Sequence, residues 1–258
     1  QPGDTILMHA GLYRPERLNY VDPLMTPFDG TMSLTLKGTQ EKPITIKAAG
    51  DGEVIFDGNG TFNLFNVKGA DYHHFEGLTI RNTEIAIWAG TQRIVGAKGL
   101  TVKKNRFENI GMGVYTNHAR SSNFYIADNW FIGRNRTDYL ISWSDASFAN
   151  FLGVAFPPSD SKPSLDSTLP DDQKYGSYIA VKTYGPGHVM AYNYVKGFHD
   201  GIDNETYGNP EGSYATDPNL PDTTDGPKYP PPEYWDQRPV ALDYYNNLMD
   251  NFHDNPFE

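Results

Sequence analysis

A short pattern returns along most of this chain: an apolar, strand-like run that ends on a polar residue at a bend. The first two intervals are 22 and 24 residues, from Thr83 to Asn105 and from Asn105 to Asn129. The next two, of 64 and 54 residues, are long enough for the same unit plus an insertion. The matching segments are LTIRNT (78–83), LTVKKN (100–105), FYIADN (124–129), HVMAYN (188–193) and LDYYNN (242–247). A fixed period of this kind predicts a repeat architecture.

The repeat unit favours strands over helices, because β-branched residues dominate its short apolar runs. Asn tolerates left-handed backbone at sharp bends, and stacked Asn side chains can hydrogen-bond to one another. We therefore expect an all-β chain folded as a right-handed parallel β-helix, a solenoid forming one domain over residues 1–258. A leucine-rich repeat has a similar period, but its Leu-x-x-Leu-x-Leu pattern is missing from this sequence.

Two insertions interrupt the repeat, at about 137–176 and 207–238, and both are rich in Pro, Gly, Asp and Ser. This composition favours turns over strand pairing, so we expect two long loops that wall a groove on one face. The loops contain Trp143, Tyr234 and Trp235. These rings either pin the loops to the body of the protein or form platforms for sugar rings.

Charge and composition limit the partners of the chain. The net charge of −11 opposes binding to nucleic acid and to an anionic membrane surface. The sequence has no cysteine, which excludes disulfides, thiolate metal sites and cysteine nucleophiles. No apolar run approaches the length of a membrane-spanning helix. An acidic glycan would need a local basic patch or a bridging cation to bind here.

The strongest functional signal is a polar cluster that follows two of the repeat units. After Asn193 the chain continues to HDGID at 199–203, and after Asn247 it continues to His253 and Asp254. Each His lies six residues after its Asn and directly before an Asp. Imidazole–carboxylate pairs at equivalent points of a repeat suit acid–base chemistry near neutral pH. The repeat architecture alone can also produce such a recurrence, so a structural role stays open.

Several motifs give the chain a resemblance to the right-handed parallel β-helix proteins of the pectate-lyase-like superfamily. The matching residues are Pro2-Gly3-Asp4-Thr5-Ile6, Gly187-His188-Val189, Tyr192-Asn193, Gly197-Phe198 and Asp200-Gly201-Ile202-Asp203. The resemblance implies the fold, whereas the activity of its members ranges over lyases, hydrolases and epimerases. Members continue beyond both ends of the matched part. We therefore expect a fragment of a longer β-helix, completed by a further segment or chain.

A second resemblance, to polygalacturonase-like glycosidases, rests on Asp200, Gly201 and Asp203. These residues match the end of the family motif Asn-Thr-Asp-Gly-x-Asp, and the two residues before Asp200 depart from it. The Gly-Asp-Asp of the next coil becomes Phe-His-Asp at 252–254, which keeps one carboxylate. The resemblance implies glycoside hydrolysis by paired carboxyl groups.

Hydrolysis needs two carboxyl groups, for which Asp200, Asp203 and Asp254 are the candidates. Neighbouring carboxyl groups in general differ in pKa, so one can donate a proton while the other is ionised. The distance between them decides whether the product retains or inverts its configuration.

β-Elimination from a uronic-acid polymer needs a base, and His199 or His253 suits that role. It also needs positive charge beside the substrate carboxylate, because this charge stabilises the carbanion formed at C5. Lys182, Arg134 and Arg136 are the candidates for that charge. Elimination is the activity that we expect first.

Binding of a hard cation such as Ca²⁺ is a third use of the acidic residues. Asp200, Asp203, Glu205 and Glu258 offer the oxygen ligands that Ca²⁺ prefers. The ion would bridge an acidic protein to an acidic glycan. The sequence contains no EF-hand or Asp-rich nonapeptide, so this hypothesis rests on carboxylate density.

The sequence thus predicts a secreted or periplasmic carbohydrate-active enzyme that cleaves an acidic polysaccharide. Elimination is the leading hypothesis, hydrolysis follows, and a non-catalytic glycan-binding protein is the alternative of a different class. The predicted catalytic residues are His199, Asp200, Asp203, His253, Asp254 and Lys182, and the predicted substrate-binding residues are Arg134, Arg136, Trp143, Tyr234 and Trp235.

Overall fold

The described part of the chain is built from β-strands. The computed structural model describes residues 1–15, 19–21, 27–29, 32–90, 96–116, 121–134, 177–205, 239–252 and 254–257. Their strands are β1 (Thr5–Met8), β2 (Gly11–Tyr13), β3 (Asn19–Val21), β4 (Pro27–Asp29), β5 (Met32–Ser33), β6 (Ile44–Ala48), β7 (Val54–Asn66), β8 (His73–Glu76), β9 (Thr79–Trp88), β10 (Thr101–Lys103), β11 (Arg106–Tyr115), β12 (Tyr125–Ala127), β13 (Trp130–Gly133), β14 (Ile179–Tyr184), β15 (Val189–Ala191), β16 (Tyr194–Lys196), β17 (Asp200–Glu205), β18 (Asp243–Tyr245) and β19 (Leu248–Asp250). Within these residues, no helix has the length and apolarity that a membrane span requires.

The strands form two large parallel sheets, and each repeat unit gives one strand to each sheet. The first sheet has 7 strands in the order β1-β6-β8-β10-β12-β15-β18. The second sheet has 10 strands, with the path β2-β7-β9-β11-β13-β16-β19 and with β5, β14 and β17 attached to it. A separate antiparallel pair joins β3 to β4. The order of strands along each path therefore follows the order of the chain.

The predicted right-handed parallel β-helix is wrong, although the all-β class and the parallel pairing are confirmed. The described residues form two open parallel sheets, and no closed solenoid occurs among them. The long strands of the second sheet explain the difference. β7 passes through a register shift against β9, between Asp57 and Thr61, and stays in the same sheet. β11 pairs with β13 along its first half and with β14 along its second. The sequence period fixes which strands are neighbours, but it does not determine whether a further side closes.

The hydrophobic core lies between the two sheets. Phe75 and Val102 from the first sheet and Phe107 and Val195 from the second belong to one buried cluster. Phe107 stacks on Phe131 with ring centroids 4.5 Å apart. Burial of apolar surface stabilises the fold by about 25 cal/mol per Å². The apolar residues that both sheets contribute to this cluster therefore determine which faces of the sheets meet.

Four asparagines stack at the turn between the sheets, and we call them the Asn ladder: Asn105, Asn129, Asn193 and Asn247. The Nδ2 of each of the first three donates to the Oδ1 of the next ladder residue, at 3.2, 3.0 and 3.0 Å. The Oδ1 of each of the last three also accepts the backbone N–H of the preceding ladder residue, at 3.0, 3.1 and 3.0 Å. The predicted hydrogen bonding between stacked Asn side chains is confirmed. The repeated Asn thus satisfies buried polar groups at each turn.

The left-handed bend lies one residue before each ladder position. Lys104, Asp128, Tyr192 and Asn246 have φ values of 56°, 57°, 57° and 55°. The sequence interpretation assigned this backbone conformation to the Asn itself. The side chain of the Asn is instead needed for the ladder, and the strained conformation falls on whichever residue precedes it.

Two added strands of the second sheet, β14 and β17, position the candidate site. β14 pairs with the second half of β11, and β17 pairs with β14. The two predicted insertions, 137–176 and 207–238, lie outside the described residues.

Candidate active site

Residues that lie side by side on neighbouring strands form a row across the second sheet. The side chains of this row are aromatic on the first two strands and charged on the next two. The row runs from Trp88 through Tyr115 and Lys182 to Asp203. Trp88 and Tyr115 pack edge to face with ring centroids 5.8 Å apart. The Nζ of Lys182 lies 3.2 Å from Oδ2 of Asp203, and the two side chains are 0% and 1% exposed. A buried ion pair is costly to form and is weak evidence for a purely stabilising role.

Tyr178 is a candidate functional residue that the sequence analysis missed. Its phenolic oxygen accepts a hydrogen bond from Nζ of Lys182 at 3.4 Å, and this ammonium lies 5.7 Å from the ring centroid. The ring centroid is 6.2 Å from that of His199. Tyr178 and Lys182 are four residues apart in an extended segment, and even spacings place side chains on one face. That spacing was the signal available in the sequence.

A second group consists of His199, Asp200 and Asp254, which we call the His-Asp-Asp cluster. The Nδ1 of His199 lies 3.0 Å from Oδ2 of Asp200. One ligand-type atom from each of the three residues lies within 4.8 Å of the other two. His199 and Asp200 are 2% and 1% exposed, whereas Asp254 is exposed. Solvent therefore reaches the cluster from the side of Asp254.

Backbone hydrogen bonds bring the two parts of this cluster together. The N–H of Asp254 donates to the carbonyl of His199 at 2.9 Å, and the N–H of Gly201 donates to the carbonyl of Asn255 at 2.9 Å. The N–H of Asn255 donates to Oδ1 of Asp200 at 3.4 Å. The chain near residue 255 thus lies along the start of β17. Sequence distance alone does not reveal this contact.

The structure brings five of the predicted catalytic residues into one connected group. Contacts run from Asp203 to Lys182, from Lys182 to Tyr178, and from Tyr178 to the His-Asp-Asp cluster. The sixth, His253, lies outside the described residues. The repeated His-Asp motif therefore supplies one described His-Asp pair, from 199–200, and one described carboxylate, Asp254.

Arg134, a predicted substrate-binding residue, is buried in a different contact. Its Nη2 lies 2.7 Å from Oε1 of Glu84, and the two side chains are 2% and 9% exposed. Its Nη1 donates to Oε2 of Glu84 at 3.0 Å, and its Nε donates to Asn109 Oδ1 at 3.1 Å. A two-point contact of this kind is the geometry in which a guanidinium binds a carboxylate most strongly. In the described structure Arg134 links neighbouring strands.

The remaining predicted residues lie, wholly or by their side chains, outside the described part of the chain. Those outside the described residues are Arg136, Trp143, Tyr234, Trp235 and Glu258. The backbone of Glu205 ends β17, and its side chain is also outside the description. Of the predicted Ca²⁺ ligands, Asp203 contacts Lys182 and Asp200 contacts His199. The described residues thus assemble a mixed nitrogen and oxygen group in place of an all-oxygen one.

A second apolar cluster, separate from the core, adjoins the charged residues. Its buried members are Ile85, Trp88, Met112, Tyr115, Tyr178 and Ile179. Tyr178 belongs to this cluster and contacts Lys182 as well. Apolar surroundings lower the local dielectric constant, which strengthens each charge interaction beside them. The Lys182–Asp203 pair therefore lies where its charges have large effects on neighbouring groups.

Two further ionisable residues, the buried His188 and the half-buried Tyr244, have shifted pKa values. Burial lowers the pKa of His188 to about 4, while its contact with the Tyr184 carbonyl acts in the opposite direction. Burial and the negative charge of Asp203 raise the pKa of Tyr244. His188 Nδ1 accepts the N–H of Phe124 at 3.2 Å, and Nε2 lies 3.1 Å from the Tyr184 carbonyl oxygen. His188 is therefore a neutral structural residue.

No protein family, characterised protein or solved structure that was compared with this chain matches it. The resemblance to the pectate-lyase-like superfamily stays a prediction.

Proposed function

We propose that this protein cleaves a uronic-acid polymer by β-elimination, with Tyr178 transferring the proton. The observation that carries the proposal is the hydrogen bond from Nζ of Lys182 to the phenolic oxygen of Tyr178, at 3.4 Å. Asp203, 3.2 Å from the same Nζ, favours the charged form of the lysine. An ammonium that donates to a phenolic oxygen stabilises negative charge on that oxygen. Tyr178 is thus equipped to accept a proton from carbon.

Tyr178 is a better candidate for the base than His199, which the sequence predicts. The Nδ1 of His199 faces the carboxylate of Asp200 at 3.0 Å and belongs to an acidic cluster. The phenolic oxygen of Tyr178 faces a cation instead. The two ring centroids are 6.2 Å apart, so both side chains lie in the same part of the site.

The proposed reaction balances without a further reactant. The phenolate of Tyr178 takes the C5 proton of the uronate, the C4–O bond breaks, and a C4=C5 double bond forms. The leaving oxygen then receives the proton from Tyr178, which returns the phenolate. Lys182 keeps its proton throughout and stabilises the phenolate at both stages.

The proposed substrate follows from the reaction and the charge of the protein. Elimination requires an acidic group at C5, whereas the net charge of −11 repels polyanions in general. Binding therefore depends on local positive charge at the site. We also propose a secreted or periplasmic location, as the sequence predicts, and a further segment or chain that extends the open sheets.

Hydrolysis is a second candidate, favoured by the spacing of Asp200 and Asp254. One carboxylate oxygen of each residue lies within 4.8 Å of the other, so both groups could act on one glycosidic bond. One carboxyl group is buried and the other is exposed, so their environments differ. Hydrolysis would release new reducing ends without a double bond.

The test is an assay of the purified chain against a panel of acidic polysaccharides. Elimination predicts ultraviolet absorbance from the unsaturated uronate, together with new reducing ends. Tyr178→Phe should lower the rate at least about 100-fold, the usual contribution of general acid–base catalysis. The matched control is Tyr115→Phe, which removes a buried phenol on the neighbouring strand and should keep the rate.

Three results would reject the proposal. Reducing ends without absorbance would favour hydrolysis by Asp200 and Asp254. Binding without either product would favour a glycan-binding protein. Equal loss of rate in Tyr178→Phe and Tyr115→Phe would show that the phenol of Tyr178 has no special role.

A further inference from the structure

The His-Asp-Asp cluster contains a buried oxygen whose contacts are unusual. Asp200 is 1% exposed, and no described residue donates a hydrogen bond to its Oδ2. The Nδ1 of His199 is 3.0 Å from this oxygen, but the two are not aligned as donor and acceptor. Buried carboxylate oxygens are costly unless they are hydrogen-bonded, paired with a cation or bound to metal. The geometry of Oδ2 thus indicates a cationic ligand.

The other members of the cluster point in the same direction. One ligand-type atom each from His199, Asp200 and Asp254 lies within 4.8 Å of the other two. Atoms bound to one metal ion at about 2.0–2.2 Å lie at most about 4.4 Å apart, so the three atoms are close to the separation that one ion needs. Hydrogen bonds from the backbone N–H groups of Asp254 and Asn255 hold the two chain segments together, so the three residues are neighbours before any ion arrives.

The ligand types select the class of ion. One imidazole nitrogen and two carboxylates suit a first-row divalent cation, whereas Ca²⁺ prefers six to eight oxygen ligands. We propose that His199, Asp200 and Asp254 form a site for a divalent cation of the Zn²⁺ or Mn²⁺ type. This site differs from the oxygen-only Ca²⁺ site expected from the sequence. Two carboxylates also balance the charge of a divalent ion.

The proposed site is open on one side. Asp254 is exposed while His199 and Asp200 are buried, so further coordination positions face solvent at Asp254. Three protein ligands with an open position are the usual arrangement of a metal site that binds substrate. An anionic carboxylate is a suitable ligand for that position. This last role, as the receptor for the uronate carboxylate beside Tyr178, rests on the proposed elimination, whereas binding of the ion does not.

The experiment is calorimetric titration of the metal-stripped full chain with Zn²⁺, Mn²⁺ and Ca²⁺, and elemental analysis of the dialysed protein. We expect one Zn²⁺ or Mn²⁺ per chain, bound more tightly than Ca²⁺, and a raised unfolding temperature. Asp254→Asn should weaken binding at least about 100-fold, beyond the loss typical of an outer-shell change. Because Asp254 is exposed, this variant should keep the unfolding temperature of the metal-free parent.

The matched control is Asp243→Asn, which removes another exposed carboxylate and should leave the affinity unchanged. Co²⁺ gives a second measurement, because its visible spectrum should show a bound site in the parent and lose it in Asp254→Asn. The proposal is overturned by a lack of saturable binding, by equal loss in both variants, or by Ca²⁺ binding as tightly as Zn²⁺. Metal binding without elimination would reject the proposed function and keep the metal site. Elimination without metal binding would reject the metal site and keep the proposed function.

Discussion

The Asn ladder and the candidate active site both place polar side chains in the interior, but they satisfy them differently. In the ladder one residue type repeats, and each neutral amide donates to one neighbour and accepts from another. At the site the groups are charged and differ from strand to strand, with Lys182 on β14 paired to Asp203 on β17. The ladder extends across successive repeats, whereas the charged pair lies on β14 and β17 alone.

This difference distinguishes the residues that build the repeat fold from the residues that form the candidate site. A polar residue that returns at the same position in every unit satisfies the backbone at a turn. A charge that replaces aromatic residues in one row needs another explanation, because buried ion pairs contribute little net stability. Variants in the two regions should therefore fail in different ways.

The largest effect on stability should come from breaking the buried ion pair. Lys182→Met removes the cation that lies 3.2 Å from Oδ2 of Asp203, whose side chain is 1% exposed. Removing one partner of a buried pair costs about 3–5 kcal/mol. Urea denaturation measures this loss as a fall in the free energy of unfolding.

A double variant is the control for that prediction. Lys182→Met with Asp203→Leu removes both charges and should recover most of the lost stability, since apolar replacement of a whole pair is often neutral. The double variant should still lack elimination activity. Activity retained in it would contradict the assigned role of Lys182.

His188 should cause a loss of stability in acid. Like the ladder residues, it is buried and its polar atoms contact backbone groups. Its folded-state pKa is lowered from 6.5 to about 4, so the folded protein resists protonation that the unfolded chain accepts. The part of the unfolding free energy that depends on neutral His188 is fully present above pH 6.5. It is lost as the pH falls to about 4, a total of about 3 kcal/mol. Unfolding free energies at several pH values, for the parent and for His188→Gln, test this. An identical pH slope in both proteins would contradict it.

The ladder itself should show a gradient from its middle to its end. Asn129→Ala removes the donor to the Val102 carbonyl, a hydrogen bond of 2.8 Å. It also leaves the backbone N–H and the Nδ2 of Asn105 without their acceptor in the interior. Leaving buried groups unpaired costs about 2–3 kcal/mol. Asn247→Ala, at the half-buried end, should cost about 1 kcal/mol. Chemical denaturation measures the free energy of unfolding of both variants. Equal losses of this free energy would argue against the ladder as a cooperative stack.

The smallest effect concerns the bend before the ladder. Lys104 is exposed and has a φ of 56°, a conformation that costs a lysine about 1–2 kcal/mol. Lys104→Gly relieves this strain but loosens the unfolded chain, so the net gain should be about 0.5 kcal/mol. A change in unfolding free energy of the opposite sign would place the strain elsewhere.

The repeat allowed the strands, their parallel pairing and the stacked asparagines to be predicted from the sequence. Each of these depends on local patterns, such as the spacing of Asn105 and Asn129. The arrangement of the sheets could not be predicted, because it depends on how β7 and β11 continue past a register shift. Whether the sheets close into a solenoid therefore depends on tertiary structure.

The site was predictable to a similar degree. Lys182, His199 and Asp200 stand out by residue type, and Asp254 by its repeated motif. Tyr178 was overlooked because a tyrosine on a buried strand is an ordinary core residue, and its contact with Lys182 depends on side-chain direction. The pairing of Asp203 with Lys182 was likewise not predictable, because it depends on the register between β14 and β17.

The most direct test of the central claim is the mass of the oligosaccharides released from a uronic-acid polymer. Elimination predicts products one water lighter than the hydrolysis products, because a double bond replaces the added water. Such products from the parent and from Tyr115→Phe, but not from Tyr178→Phe, are the predicted result. Products with the full mass of hydrolysis, or no products from any polymer, would contradict the account.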